Sequence, residues 1–160
     1  MKSEKPVAII TGAARGIGKG CAIELARAGF NLLINDRPDN ESIEKLKATQ
    51  KQCIAENVEV ITFPGNIGDL TLHEKMLDAA QNQWGRLDCL LNNAGISVKK
   101  RGDILDLEPD SFDDNIAINT RAPFFLAQAF SKRLLAQPKP EAELPHRSII
   151  FVSSINAIML

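Results

Sequence analysis

Short apolar runs that alternate with stretches of helical spacing constrain this chain more than any other feature. Residues 7–10 form a continuous apolar run closed by Thr11 and Gly12, the pattern of a strand buried on both faces. Residues 32–34, 58–63, 87–91 and 148–152 repeat it. Between them, Ile17, Cys21, Leu25 and Ala28 recur at helical spacing, with Gly29 where a left-handed C-cap belongs. Ile43, Leu46, Thr49, Gln50 and Cys53 make a weaker series with a Lys, Glu and Gln outer face, and Leu72, Met76, Leu77, Ala80 and Trp84 make a third that stops at Gly85. A long helical segment follows over 110–137, with Phe112, Ile116, Asn119 and Ala122 on one side, and Pro123 bends it or ends its first part. Pro138, Pro140 and Pro145 mark a loop before the last strand. This alternation predicts βαβ units, hence an α/β fold whose parallel sheet is covered on both faces.

Composition narrows the function classes. With 19 Lys+Arg against 20 Asp+Glu in 160 residues, the chain lacks the basic surplus that draws nucleic acid or anionic membrane, so the expected partner is a small molecule. A chain this long buries roughly 70% of its unfolded surface, enough for a core without disulfides or a structural metal. Cys21, Cys53 and Cys89 are odd in number and without CxxC spacing, and read as reduced buried thiols. His73 and His146 have no ligand partners in sequence and read as a solvated helix residue and a loop residue, so no metal site is expected, while Met76, Trp84 and Phe130 read as core. The apolar run before Thr11 is too short for a signal-peptide core, and no stretch approaches the roughly 18 apolar residues of a membrane span. A single cytoplasmic domain over residues 1–160 is the expectation.

The first strand leads directly into TGAARGIG, residues 11–18. Gly12 permits the sharp turn, Gly16 lets backbone approach a ligand, and Gly18 lets the next helix pack closely on the sheet. Unpaired N–H groups at that helix N-terminus favour a phosphate. The Walker pattern does not fit, because Gly18-Lys19 is preceded at the required offset by Ala13 and followed by Gly20. A methyltransferase with a glycine-rich first loop stays open at this point. Asp36, at the end of the second strand, suits a ribose and repels a 2′-phosphate, which favours NAD; Arg15 and Arg37 suit that phosphate and favour NADP. A plainer role for Asp36 is to cap a turn before Pro38.

Three motifs in order, TGAARGIG (11–18), NNAG (92–95) and FVSSIN (151–156), make the sequence similar to the short-chain dehydrogenase/reductase family, with the 3-oxoacyl-carrier-protein reductase branch the nearest in general appearance and sugar and polyol dehydrogenases also similar. The resemblance implies a doubly wound, Rossmann-like sheet of order 3-2-1-4-5, binding NAD or NADP at the carboxyl ends of the strands. It places Gly12, Arg15, Gly16, Ile17 and Gly18 around the pyrophosphate and adjacent ribose, and Asp36 with Arg37 at the choice of cofactor. Asn66 and Ile67 stand beside the adenine where the family more often has Asp-Val; Asn93, Ala94 and Gly95 line the nicotinamide side. Asn119 corresponds to an asparagine that holds a water in a proton relay, and Ser154, before Ile155-Asn156-Ala157, to the serine that hydrogen-bonds the substrate oxygen. Plainer roles are backbone satisfaction for Asn92 and Asn93 and strand-end positions for Ser153 and Ser154.

The departure from the family is equally specific. Its proton donor is the tyrosine of a YxxxK pair on the helix after the fifth strand, and this chain contains no tyrosine. The resemblance therefore implies that these residues are the N-terminal part of a longer reductase, acting on a carbonyl or secondary alcohol as a homotetramer built on the segment near 110–137. The competing reading is a dinucleotide-binding module without turnover.

Overall fold

In the computed structural model, strand β1 (Val7–Thr11) pairs on one side with β2 (Asn31–Asp36) and on the other with β4 (Cys89–Asn92). β3 (Val60–Pro64) lies beyond β2 and β5 (Ser148–Phe151) beyond β4, all in parallel, giving the expected order 3-2-1-4-5. The register aligns Ile9 with Leu33 and Leu90, so the most apolar residues stack at the middle of the sheet. Residues 3–136 and 147–154 are described. The expected proline loop (Pro138, Pro140, Pro145), His146 and the Ile155-Asn156-Ala157 context of Ser154 lie outside them.

Alternation along the strands divides the core in two. Ala8, Ile10, Leu32 and Ile34 face helices α1 (Gly16–Arg27) and α2 (Asn40–Ile54), where Ala22, Ala26, Leu46 and Cys53 complete one layer. Val7, Ile9, Leu33 and Leu90 face α3 (Thr71–Trp84) and α5 (Ala122–Ala136), against Met76, Leu77, Trp84, Leu126 and Phe130. Each such fully buried large side chain contributes roughly 1.5–3 kcal/mol. The three cysteines are free, with Cys53 and Cys89 buried and Cys21 partly so. Among the described residues no helix is long and apolar enough to cross a membrane.

Helix ends follow their expected chemistry. α1 closes with Gly29 at φ +86°, whose N–H donates to the Ala26 carbonyl while that of Phe30 donates to Leu25, a left-handed cap that satisfies two last-turn carbonyls. α3 closes at Gly85, φ +69°. α2 begins at Asp39, which accepts from the Ser42 N–H and hydroxyl; these bonds hold its carboxyl below the usual aspartate range.

Three expectations are corrected. On α1 the fully buried row is Gly18, Ala22 and Ala26, with Ile17 64% exposed, because small residues let the helix sit closer to the sheet than Ile17, Cys21 and Leu25 would. His73 is buried, since its ring reaches a backbone carbonyl. The segment near 110–137 is α4 (Pro109–Ile116), a π-helical turn (Ala117–Arg121) and α5; Phe112 and Ile116 are exposed, and burial falls on Ser111, Ala122, Leu126 and Phe130. Pro123 explains the π turn: its ring would clash with the Asn119 carbonyl in an α-helix, and widening the turn, with the Ala122 N–H donating to Ala117, relieves this without ending the helix.

Candidate functional site

The carboxyl ends of the strands open into a cleft of about 1150 Å³. Its position follows from the topology: the chain runs from β1 outward through β2 to β3, then crosses back to β4 on the other side of β1, and the crevice forms where the strand order reverses. A smaller hollow of about 500 Å³, at the other end of the sheet between Lys5 and Glu59, holds none of the motifs.

The floor is the loop after β1. Gly12 has φ +68°, and a Cβ there would lie 2.9 Å from both Ala94 Cα and Asn93 Nδ2. A Cβ on Gly18 would lie 2.1 Å from the Gly12 carbonyl oxygen. Loop, helix and the NNAG segment are thus in direct backbone contact. Asn93 fastens them: its Nδ2 donates to the carbonyls of Thr11 and Gly12, each at 3.0 Å. Thr11 Oγ1 accepts in return from the N–H groups of Asn93 and Ala94, at 3.1 and 3.0 Å. Arg15 precedes α1 in an extended conformation with no side-chain cap and no acid in the first turn, so that helix end faces the cleft with unpaired donors.

One end of the cleft is formed after β2 and β3. Asp36 Oδ2 accepts from the Ala14 N–H at 2.8 Å and Oδ1 from the Arg37 N–H at 2.9 Å, so this carboxylate caps the glycine loop as well as lining the cleft. Arg37 is exposed and pairs with Asp39 at 3.5 Å. Asn66 and Ile67 line the same wall, with Asn66 Oδ1 accepting from the Gly68 N–H at 3.0 Å. The other end is formed after β4. Asn119 Oδ1 accepts from the Ile96 N–H and its Nδ2 donates to the Ile96 carbonyl, both at 2.8 Å, while Asn115 Oδ1 accepts a further bond from that Nδ2 at 3.2 Å. Further along this wall, Lys99 Nζ meets Asp114 Oδ2 at 2.6 Å, and that contact raises the Lys99 ammonium above its ordinary range.

The family model for short chain dehydrogenase matches residues 6–159. The chain belongs to that family. The trihydroxynaphthalene reductase of Colletotrichum orbiculare is 36% identical over 128 residues, 80% of this chain and 44% of that protein. The crystal structure of a 3-oxoacyl-[acyl-carrier protein] reductase from Brucella melitensis in complex with NAD has a TM-score of 0.87 at 35% identity, covering 99% of this chain and 59% of that one. That of a metagenomic short-chain oxidoreductase in complex with NADP has a TM-score of 0.82 at 28% identity, covering 97% and 65%. The chain spans about half the length of the curated relatives it matches.

In this chain Gly12, Arg15, Gly16, Ile17, Asp36, Arg37, Asn66, Ile67, Asn93, Ala94 and Gly95 all line the one cleft. Gly18 lies behind it, as the close packing of α1 on the loop requires. Asn119 sits beside Gly95, with its amide committed to Ile96. Ser154 is exposed three residues beyond β5 and is not part of the cleft wall. Sequence reading missed Thr11 as a brace, and Asn35, whose buried Nδ2 donates to the carbonyls of Phe63 and Gly65 at 2.8 and 3.0 Å. For Thr11, its place beside the glycine loop was a usable signal; for Asn35, a polar residue inside an apolar strand was the only one. Among the described residues no cluster of His, Cys, Asp and Glu has the makings of a metal site.

Proposed function

We propose that the protein is a nicotinamide-dinucleotide oxidoreductase that moves hydride between the cofactor and a carbonyl or secondary alcohol. The observation that carries this reading is the braced glycine loop. Thr11 and Asn93 hold its backbone so that Gly12, Gly16 and the uncapped α1 N-terminus face one cleft, with a carboxylate at one end and the NNAG segment at the other. Gly16, at φ +56° with nothing within 4 Å of where a Cβ would stand, leaves open space at the helix end that would take a pyrophosphate.

Gly12, Arg15, Gly16 and Ile17 would hold the diphosphate and neighbouring ribose, with Gly18 supporting them from behind. Asn66 and Ile67 would flank the adenine, and Asn93, Ala94 and Gly95 the nicotinamide. Asp36 favours NAD: a 2′-phosphate beside its carboxylate is repelled, and Arg37 is already turned to Asp39. NADP use would rest on Arg15 and Arg37. When bound, the nicotinamide supplies or accepts the hydride. Ser154 would hold the substrate oxygen. Asn119 keeps the loop of Ile96 in place, and its own carbonyl, deprived by Pro123 of its α-helical donor, would hold the relay water. In the family, proton donation belongs to a tyrosine paired with a lysine, and residues 1–160 contain no tyrosine.

The substrate reading is a 3-oxoacyl group, supported by the likeness to the Brucella reductase. A homotetramer through the segment near 110–137 is supported by the exposed Phe112, Ile116, Phe124 and Phe125. Free cysteines support a cytoplasmic setting, and residues 1–160 read as one dinucleotide-binding domain. The test is NADH oxidation by the intact protein with a panel of ketones and 3-oxoacyl thioesters. Turnover supports the oxidoreductase, and dinucleotide binding without turnover on any of them supports the non-catalytic module.

A further inference from the structure

The wall after β3 is pinned through alternate carbonyls. Asn35 takes those of Phe63 and Gly65, and the third, Ile67, is taken by His73 on α3, whose Nε2 lies 2.8 Å from it. A carbonyl only accepts, so His73 carries its proton on Nε2. The imidazole is 3% exposed, in a helix face otherwise occupied by Met76, Leu77, Ala80 and Trp84. A polar ring among these apolar side chains costs free energy unless its bond is made, and the bond it makes fixes the backbone of a residue that lines the cleft. The same turn is closed by the Asp69 N–H donating to the Asn66 carbonyl at 3.0 Å and by the Asn66–Gly68 bond, and the Ile67 side chain packs into the core; His73 adds the bond that fixes the Ile67 carbonyl to α3.

We infer that His73 is a positioning residue for the adenine end of the cleft, setting the Asn66–Gly68 backbone through the Ile67 carbonyl without touching ligand. This rests on the dinucleotide reading of the cleft. The test uses the intact protein and two half-ligands, adenosine monophosphate and nicotinamide mononucleotide, titrated against wild type, His73→Leu and His73→Gln. Leucine keeps an apolar volume and removes the donor; glutamine keeps a donor. The expected result is a weaker affinity for adenosine monophosphate in His73→Leu, up to about tenfold because the worth of the one lost hydrogen bond is the ceiling, with the nucleotide of nicotinamide unaffected and recovery in His73→Gln. Unchanged adenosine monophosphate affinity in His73→Leu, or equal weakening of both half-ligands, overturns the inference. Failure of wild type to bind adenosine monophosphate overturns the dinucleotide reading and this inference with it. Should His73→Leu not fold, the ring nitrogens of wild-type His73 are followed by NMR. A shift on adding adenosine monophosphate but not the nicotinamide nucleotide supports the role, and no shift overturns it.

Discussion

Replacing Gly18 with alanine tests the contact on which the cleft floor depends. The added Cβ would sit 2.1 Å from the Gly12 carbonyl oxygen and 2.4 Å from Asn93 Nδ2. An ordinary carbon–oxygen contact is roughly 3.3 Å, so backbone must separate by about 1 Å. Overpacking against backbone costs about 3 kcal/mol, and strained bonds from Asn93 add about 1 kcal/mol. Alanine's better helix propensity returns about 1 kcal/mol, leaving a net loss of about 3 kcal/mol. For a chain of this size that lowers Tm by about 6–12 °C. Gly20, two residues along the same helix, is exposed and would place a Cβ within 4 Å of nothing. Gly20→Ala should therefore raise stability by about 0.5–1 kcal/mol. Thermal melts of the two variants side by side give opposite signs, and NADH titration shows Gly18→Ala impaired and Gly20→Ala unaffected. A Gly18→Ala protein as stable as wild type, with NADH affinity intact, would refute the packing argument.

Three further outcomes follow from the same geometry. Asp36→Asn keeps an acceptor for the Ala14 N–H but removes the charge, so the ratio of NADP to NAD affinity should rise about tenfold by calorimetric titration; an unchanged ratio counts against Asp36 as the selector. Asp88 is buried in a two-bond pair with Arg86 and accepts from the Val7 N–H, so Asp88→Ala, which strands the guanidinium, should cost about 3–5 kcal/mol by urea unfolding. Burial pushes the Cys53 thiol up to about 11, aided by Glu56, so native protein at about pH 8 should label at Cys21 while Cys53 and Cys89 react only on unfolding. Because the unfolded thiol ionises first, the Cys53 contribution to stability is full below about pH 8.5 and is lost as the pH rises through about 11.

What the sequence reveals depends on how local the cause is. The alternation of strands and helices follows from short apolar runs and one glycine loop, whose meaning is set within a dozen residues, whereas strand order and cleft position come with the family resemblance carried by the three motifs. Gly29 and Gly85 are legible because a left-handed cap is a backbone requirement of one residue. The buried row of α1 is not, because Gly18, Ala22 and Ala26 are selected by closeness to a loop distant in sequence, where smallness outweighs hydrophobicity. His73 and Asn35 escape for a related reason: each answers a carbonyl on a different element, and spacing along the chain carries no trace of it. The π turn at Asn119 is half legible, since Pro123 announces a disturbance but not whether the helix ends or widens.

The account stands most directly on one calorimetric titration of NADH into the intact protein, repeated with Gly12→Val. Saturable binding at one site per chain, abolished when a branched side chain is forced between the loop and Ala94, is the predicted result. No binding at millimolar NADH, or equal binding by Gly12→Val, would contradict it.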